Sequence, residues 1–462
     1  MDHTPRQATT TGQQFEAGTP LELNAALSNM VSSPTLAINE AVARRRAQGQ
    51  ETIHLGFGEA TFPLHPVLRQ ALAEALESTG YAPVAGVPKL RQAIAGYIQR
   101  TRGVDCTAEQ VIVGPGSKPL IYALLRVLDG DVLVPRPSWV SYNPQTRLAG
   151  RKAIPVATDP TDHHRLTPSA LTEAIVNGRA KGAKPRILLV NSPNNPTGSM
   201  FAEEDVAAMA TWASETGITI ISDEIYAELA HGWRSHVSPA RFYPTGCIIT
   251  GGLSKAFSAG GWRLGYAILP GGELGKELGK ALRALASEIW SAAATPIEEA
   301  AIAAFTLNTD LETYVRRSAR LHSYVTHELY LTLSELGIAC PRPAGAFYLY
   351  PDLAPWRDAL ARLNITTSTQ LAQYLLDTWD MATLPGTAFG EEPATLRLRL
   401  ATSMLYGSPQ QTDLWHLLSQ ADSLPTPGEA GQEVKLDLPE LAKAQERWKE
   451  VIAHLNGLSQ AL

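Results

Sequence analysis

From about residue 64 the chain alternates stretches with helical spacing of apolar positions and short, almost wholly apolar runs. Helices are predicted near 65–78 and 88–102, followed by strand-like VIVG (111–114) and VLVP (132–135). Further runs are ILLV (187–190), ITIIS (218–222), CIIT (247–250) and YAIL (266–269), with helical stretches such as 202–214 between several of them. Each run is short, rich in β-branched residues and bounded by Gly, Pro or Asp, which is how a parallel sheet covered by helices on both faces reads.

Beyond this the pattern changes. Residues 271–335 are mostly helical, while 339–420 mixes strand-like FYLY (347–350) and LRLRLA (396–401) with helices near 367–378 and 410–420, the signature of a second, α+β domain. The stretch SLPTPGEAGQEVKL (423–436) reads as a linker, and 438–457 as a charged amphipathic helix, either a surface or tail helix or an interaction element. No repeat occurs at solenoid periods.

Composition narrows the function classes. A length of 462 residues suits one large core plus a smaller one, and 44% hydrophobic with 18% charged residues is ordinary for a globular protein. The net charge of −6 with scattered basic residues gives no electrostatic case for nucleic acid, so small-molecule partners are expected. Cys106, Cys247 and Cys340 are far apart and lack CxxC spacing, so they suggest reduced thiols and no metal site. The N-terminal residues lack a basic and then apolar signal pattern, and no apolar run is long enough to span a membrane. A cytoplasmic enzyme is the expectation.

Three segments carry chemistry. In SKAFSAGGWRLGY (254–266), Lys255 follows a buried strand ending in glycines, so it should project from the carboxyl edge of the sheet, where ligands of open α/β sheets bind. A lysine used as a nucleophile must be near neutral, and desolvation with a cation such as Arg263 nearby lowers its pKa. NSPNNPTG (191–198) follows ILLV, and its Asn and Pro density marks a tight turn, functional or merely structural. In SDEIY (222–226), Asp223 ends a buried strand, where a carboxylate needs a donor or cation unless it only caps a helix.

In this order, NSPNNPTG, SDEIY and SKAFSAGGWRLGY closely resemble the signature segments of the class I/II, aspartate-aminotransferase-like aminotransferases, fold type I of the pyridoxal-phosphate enzymes; the resemblance runs from about Met30 to Ser403. It implies an α/β fold with a large domain, whose mostly parallel central sheet is flanked by helices, plus a smaller α+β domain. The corresponding division is an N-terminal arm (1–23), a small domain (24–61 and 301–422), a large cofactor domain (62–300), and a linker with the C-terminal helix (423–462). It also implies pyridoxal 5'-phosphate held by Lys255 as a Schiff base, Lys255 moving the proton at the substrate's Cα, Asp223 pairing the ring nitrogen, and Asn195 and Tyr226 bonding the phenolic oxygen. Arg263, Ser254 and the amides of Gly116, Ser117 and Lys118 in VGPGSKPL (113–120) are expected at the phosphate, the last three at a helix N-terminus. Trp139 is implied to stack on the ring or else to pack in the core, and Tyr81 to reach the phosphate of a second subunit in a homodimer with shared sites.

Of the two arginines in LRLRLATS, Arg397 is expected to grip the substrate α-carboxylate, with Arg399 turned to the other face of the strand; Gly58 is expected beside that carboxylate and Asn195 within reach of the substrate. Three departures stand out: Gly252 replaces the hydroxyl residue that many relatives carry three positions before the lysine, GEATF (58–62) replaces GEPDF, and the chain extends past 422. The scaffold serves transamination of an L-amino acid with a 2-oxo acid, the first expectation. It also serves chemistry on S-adenosylmethionine, β/γ-elimination or replacement, and amino-acid oxidation or cyclisation. A sensor role would need a DNA-binding domain that the roughly 25 leading residues cannot form. No second arginine for a dicarboxylic substrate is readable, which disfavours aspartate and glutamate.

Overall fold

The computed structural model describes residues 32–407, 412–426 and 435–460, so the expected arm (1–23), residues 24–31 and the linker centre (427–434) lie outside the described residues. The apolar runs form one seven-stranded sheet in the order Val111–Gly114, Gly265–Ile268, Cys247–Gly252, Thr219–Asp223, Pro185–Asn191, Asp131–Arg136, Ala153–Ala157. Gly265–Ile268 runs antiparallel to both neighbours and every other pairing is parallel, so the sheet is mostly parallel as expected.

Strand geometry explains why the runs are apolar throughout. Successive residues point to opposite faces. Leu188, Val190, Ile220 and Ile249 pack into one core, and Ile187, Leu189, Ile221 and Ile248 into another on the opposite face. Helices such as Ser117–Val127 and Gly272–Ile289 cover the second core, and Pro88–Arg102 and Thr309–Glu335 the first.

Some elements escaped the pattern, Ala153–Ala157 and Pro34–Ala47 among them. Ala153–Ala157 buries only Ile154 and Val156 and carries Pro155, which an edge strand tolerates because one side of its backbone has no ladder to complete. Pro34–Ala47 is helical with only Val42 buried, so no apolar stripe announces it. Residues from the second half of the chain form a three-stranded sheet, Leu384–Pro385, Leu398–Ala401 and Tyr348–Leu349, all antiparallel, while Ile53–His54 pairs in parallel with Met381–Ala382.

The C-terminal helix, Pro439–Gln460, docks by a stripe of Leu441, Ala444, Trp448, Val451, Ile452 and Leu455. Trp448 is fully buried, and Trp356 Nε1 donates to Asn456 Oδ1 at 2.8 Å. Among the described residues no helix is long and apolar enough to cross a membrane, and no cluster of His, Cys, Asp and Glu could hold a metal ion.

Candidate active site

The carboxyl edge of the sheet positions the chemistry. Asn191, Asp223 and Thr250 stand side by side in register at the ends of three parallel strands. Lys255 follows the third of these strands after a short turn. A cleft of about 330 Å³ opens there, lined among others by Gly58, Trp139, Asp223, Tyr226, Lys255 and Arg399.

Lys255 Nζ donates to the carbonyl of Gly58 at 2.6 Å and sits 5.7 Å from the ring centroids of Tyr226 and Phe347. Burial lowers its pKa to about 8; Glu59 opposes the shift, and Arg399 and Arg263 add to it. The cation foreseen for this task, Arg263, is therefore joined by Arg399.

Asp223 is 3% exposed, and burial raises its carboxyl to about pH 6. It accepts from Tyr142 Oη at 2.8 Å and Thr250 Oγ1 at 3.3 Å, and no cation pairs with it among the described residues. Asn191 Nδ2 donates to the Asp223 carbonyl and Asn191 Oδ1 accepts from the Asn195 amide, both at 2.8 Å, so one side chain ties the 191–198 turn to the Asp223 strand. Tyr226 and Tyr348 share a hydroxyl hydrogen bond at 2.7 Å.

Behind this segment a buried ion cluster holds it in place. Arg102 at the end of its helix donates to Glu224 at 3.0 Å and to Glu228 at 2.5 Å, and Ser238 Oγ donates to Glu224 at 2.6 Å. Asp223 and Tyr226 thus face the cleft while the acids that flank them are clamped on the other side.

At the opposite end, Gly116 caps the helix Ser117–Val127, whose first N–H groups are open. Arg263, with its Nη1 on the Gly260 carbonyl at 2.9 Å, Ser254 and Lys118 line the same part of the cleft, and Lys118 Nζ lies 5.0 Å over the Trp139 ring. Burial and then Arg263 lower the Lys118 pKa. Trp139 also meets Tyr142 edge-on with centroids 5.3 Å apart. Tyr81 is 98% exposed and does not line this cleft.

The two arginines exchange the expected places. Arg397 Nε bonds Asp352 at 2.9 Å and its Nη1 bonds Glu391 at 2.9 Å, so its charge is neutralised away from the cleft. Arg399, 1% exposed, lines the cleft. It donates to the Gly56 carbonyl, stands 3.5 Å from Asn195 Oδ1, and lies 4.9 Å over the Tyr348 ring, with its Nε left without a partner. Residues two apart on a strand share a face, so Arg397 and Arg399 were never on opposite faces. The ~6.6 Å between them along the strand decides which one reaches the site.

Two glycines matter by their lack of a side chain. A Cβ at Gly58 would collide with the Tyr348 ring and hydroxyl. A Cβ at Gly252 would stand 2.6 Å from the Leu264 carbonyl, so the hydroxyl residue of many relatives does not fit here unless the backbone shifts.

These residues fit pyridoxal phosphate. An open helix N-terminus with Arg263 and Lys118 suits a phosphate dianion. A buried carboxylate lacking a cation suits a protonated ring nitrogen, and Lys255 offers the amine between them. Sequence reading missed Tyr142, Tyr348, Thr250 and Asn191. Asn191 lies inside NSPNNPTG, Tyr348 in FYLY and Thr250 in CIIT, all segments already singled out, and Tyr142 lies three residues after Trp139; none of the four carries a local signal of its own role.

Known proteins resemble this chain over most of its length. The sequence pattern of aminotransferase class I and II matches residues 50–404. The chain is 33% identical over 392 residues to the aspartate aminotransferase of Geobacillus stearothermophilus, covering 83% of this chain and 95% of that protein. It is 34% identical over 382 residues to the aspartate/prephenate aminotransferase of Thermus thermophilus, covering 81% and 93%. The solved aspartate aminotransferase from Thermus thermophilus with maleate matches with a TM-score of 0.75 at 32% identity, covering 88% of this chain and 100% of that one. An aromatic aminotransferase from Pyrococcus horikoshii matches with a TM-score of 0.73 at 25% identity, covering 90% and 100%. A cleft built around a desolvated lysine, an unpaired buried aspartate and an anion cradle thus meets a match over most of the sequence, and the chain belongs to the class I and II aminotransferases, the pyridoxal-phosphate-dependent transferases of fold type I.

Proposed function

We propose that this cleft transfers the amino group of an L-amino acid to a 2-oxo acid, with Lys255 as both the attachment point of pyridoxal phosphate and the proton carrier. The observation that carries the reading is the Lys255 amine, brought by burial to about pH 8, in one cleft with Asp223 and the Arg263–Lys118 cradle. When bound, the cofactor supplies an electron sink for the pair released at the substrate's Cα.

Each residue then has a defined task. Asp223, otherwise a buried charge without a counter-charge, holds the proton on the ring nitrogen, and Tyr142 and Thr250 fix its carboxylate. Tyr226 and Asn195 bond the phenolic oxygen, and Tyr348 orients Tyr226. Arg399 receives the substrate α-carboxylate, because it is buried, has no acidic partner among the described residues and keeps an unused Nε. Gly58, bare of a side chain so that the Tyr348 ring packs against it, aims Lys255 Nζ through its carbonyl. Lys255, close to neutral, would take the Cα proton and deliver it two atoms away, to the carbon by which the cofactor holds the substrate nitrogen.

The exposed Tyr81, with its loop held by Thr295 Oγ1 on the Gly80 carbonyl at 2.6 Å, supports a homodimer in which it reaches the partner's phosphate. Borohydride reduction of the holoenzyme followed by peptide mapping should place the label on Lys255, and Lys255→Ala should lower turnover on the order of 10⁴-fold. An amino acid alone should bleach the visible cofactor absorbance and a 2-oxo acid restore it; label on another lysine, or bleaching that no oxo acid reverses, overturns the reading.

A further inference from the structure

A second chamber of about 600 Å³ lies behind the segment that carries Asp223 and Tyr226. Asp223, Ile225 and Tyr226 line the catalytic cleft, whereas Ala227, Glu228 and Ala230 line the chamber, and no described residue lines both. Its apolar wall includes Phe257, Leu311, Val315 and Ala319; Arg234, Arg320 and Ser323 supply polar groups. The volume falls in the ~300–1,000 Å³ range of small-molecule sites, which are mostly apolar with a few convergent polar groups.

We infer that this chamber binds a small carboxylate with an apolar body. Arg234 Nη1 donates to the Met200 carbonyl at 2.8 Å and Arg320 Nη2 to the Leu424 carbonyl at 2.5 Å. Those acceptors carry no net charge, and neither arginine has a carboxylate partner among the described residues, although both are half-buried. The chamber's own acids do not fill the gap: Glu228 is held by Arg102 and Tyr97, each at 2.5 Å, and Glu312 is exposed. Arg316, by contrast, is already paired with Asp422 at 2.5 Å.

A second observation points the same way. Ser323 is 4% exposed, and its Oγ has no hydrogen-bond partner. It stands three residues after Arg320 on the helix Thr309–Glu335, on the same face. A buried hydroxyl left unbonded is unfavourable, so a ligand oxygen beside it answers an unmet donor. Planar guanidinium groups match a carboxylate, and the Phe257–Leu311–Val315 wall matches hydrocarbon.

The test is calorimetric titration of the holoenzyme with 3-phenylpropionate. Arg399→Met serves as reference, because it removes the carboxylate grip proposed for the catalytic cleft. One saturable site per chain is expected in that reference. Adding Arg320→Met or Arg234→Met should weaken it about tenfold or more, and adding Ser323→Ala about threefold. Taken singly, Arg320→Met and Arg234→Met should keep transaminase turnover, which shows that the protein has folded; either one suffices if the other misfolds. Absence of saturable binding in the reference, or a Kd that stays within twofold in a folded Arg320→Met or Arg234→Met protein, overturns the inference.

Discussion

The two ends of the catalytic cleft are built differently. The anion cradle comes from contiguous chain: Gly116, Ser117 and Lys118 follow one strand directly, and Ser254 and Arg263 flank Lys255 within a single short segment. The carboxylate end is assembled from segments far apart, with Gly56 and Gly58, Asn195, Tyr348 and Arg399 meeting only after folding. A motif written in adjacent residues survives as local geometry. A grip written across hundreds of residues depends on strand register and on which charges find partners elsewhere.

Of the two ends, the assembled one should show the larger effect. Arg399→Met removes the only buried cleft guanidinium without an acidic partner among the described residues, so kcat/KM should fall about 10²- to 10³-fold, mostly through KM. Steady-state kinetics with a reactive amino donor measures this. At the cradle, Arg263→Met should weaken cofactor retention roughly 10- to 100-fold, read by equilibrium dialysis, because the helix N-terminus and Lys118 remain. Retention unchanged by this substitution would show that the cradle is not where the phosphate sits.

A smaller effect concerns Asp223 in the cofactor-free protein. Its folded-state pKa is raised to about 6, above the ~3.9 of an unfolded aspartate, so its contribution to stability is intact below about pH 4 and lost as pH rises through about 6. Asp223→Asn, which cannot ionise, should therefore gain stability over the parent by roughly 1 to 2 kcal/mol more at pH 8 than at pH 5 in urea unfolding. A gain that does not vary with pH would mean that the carboxylate has a counter-charge. Smallest of all, Arg397→Met should change kcat/KM less than about threefold while lowering Tm, since it breaks the pairs with Asp352 and Glu391 outside the cleft. An activity loss equal to that of Arg399→Met would erase the distinction between the two arginines.

Much of the fold was legible because burial on both faces of a parallel sheet leaves uninterrupted apolar runs, set apart from the helical spacing between them. The edge strand Ala153–Ala157 was not, since half of it faces solvent and Pro155 interrupts it. Within the site, Lys255, Asp223, Tyr226, Asn195 and Arg263 stood out by residue type at a strand end or in a dense turn. Tyr142 and Thr250 did not, because a phenol and a hydroxyl gain meaning only beside the carboxylate they hold.

The sequence by itself determined the sheet, the lysine-bearing turn and the phosphate-binding helix end, because each rests on interactions between near neighbours in the chain. Tertiary structure alone decided which arginine enters the cleft. Asp352 and Glu391 claim Arg397, and the strand's advance carries Arg399 over Tyr348, where its charge meets no acid. It likewise decided that Gly252 has no room for a side chain, because the obstacle is the backbone of the paired strand.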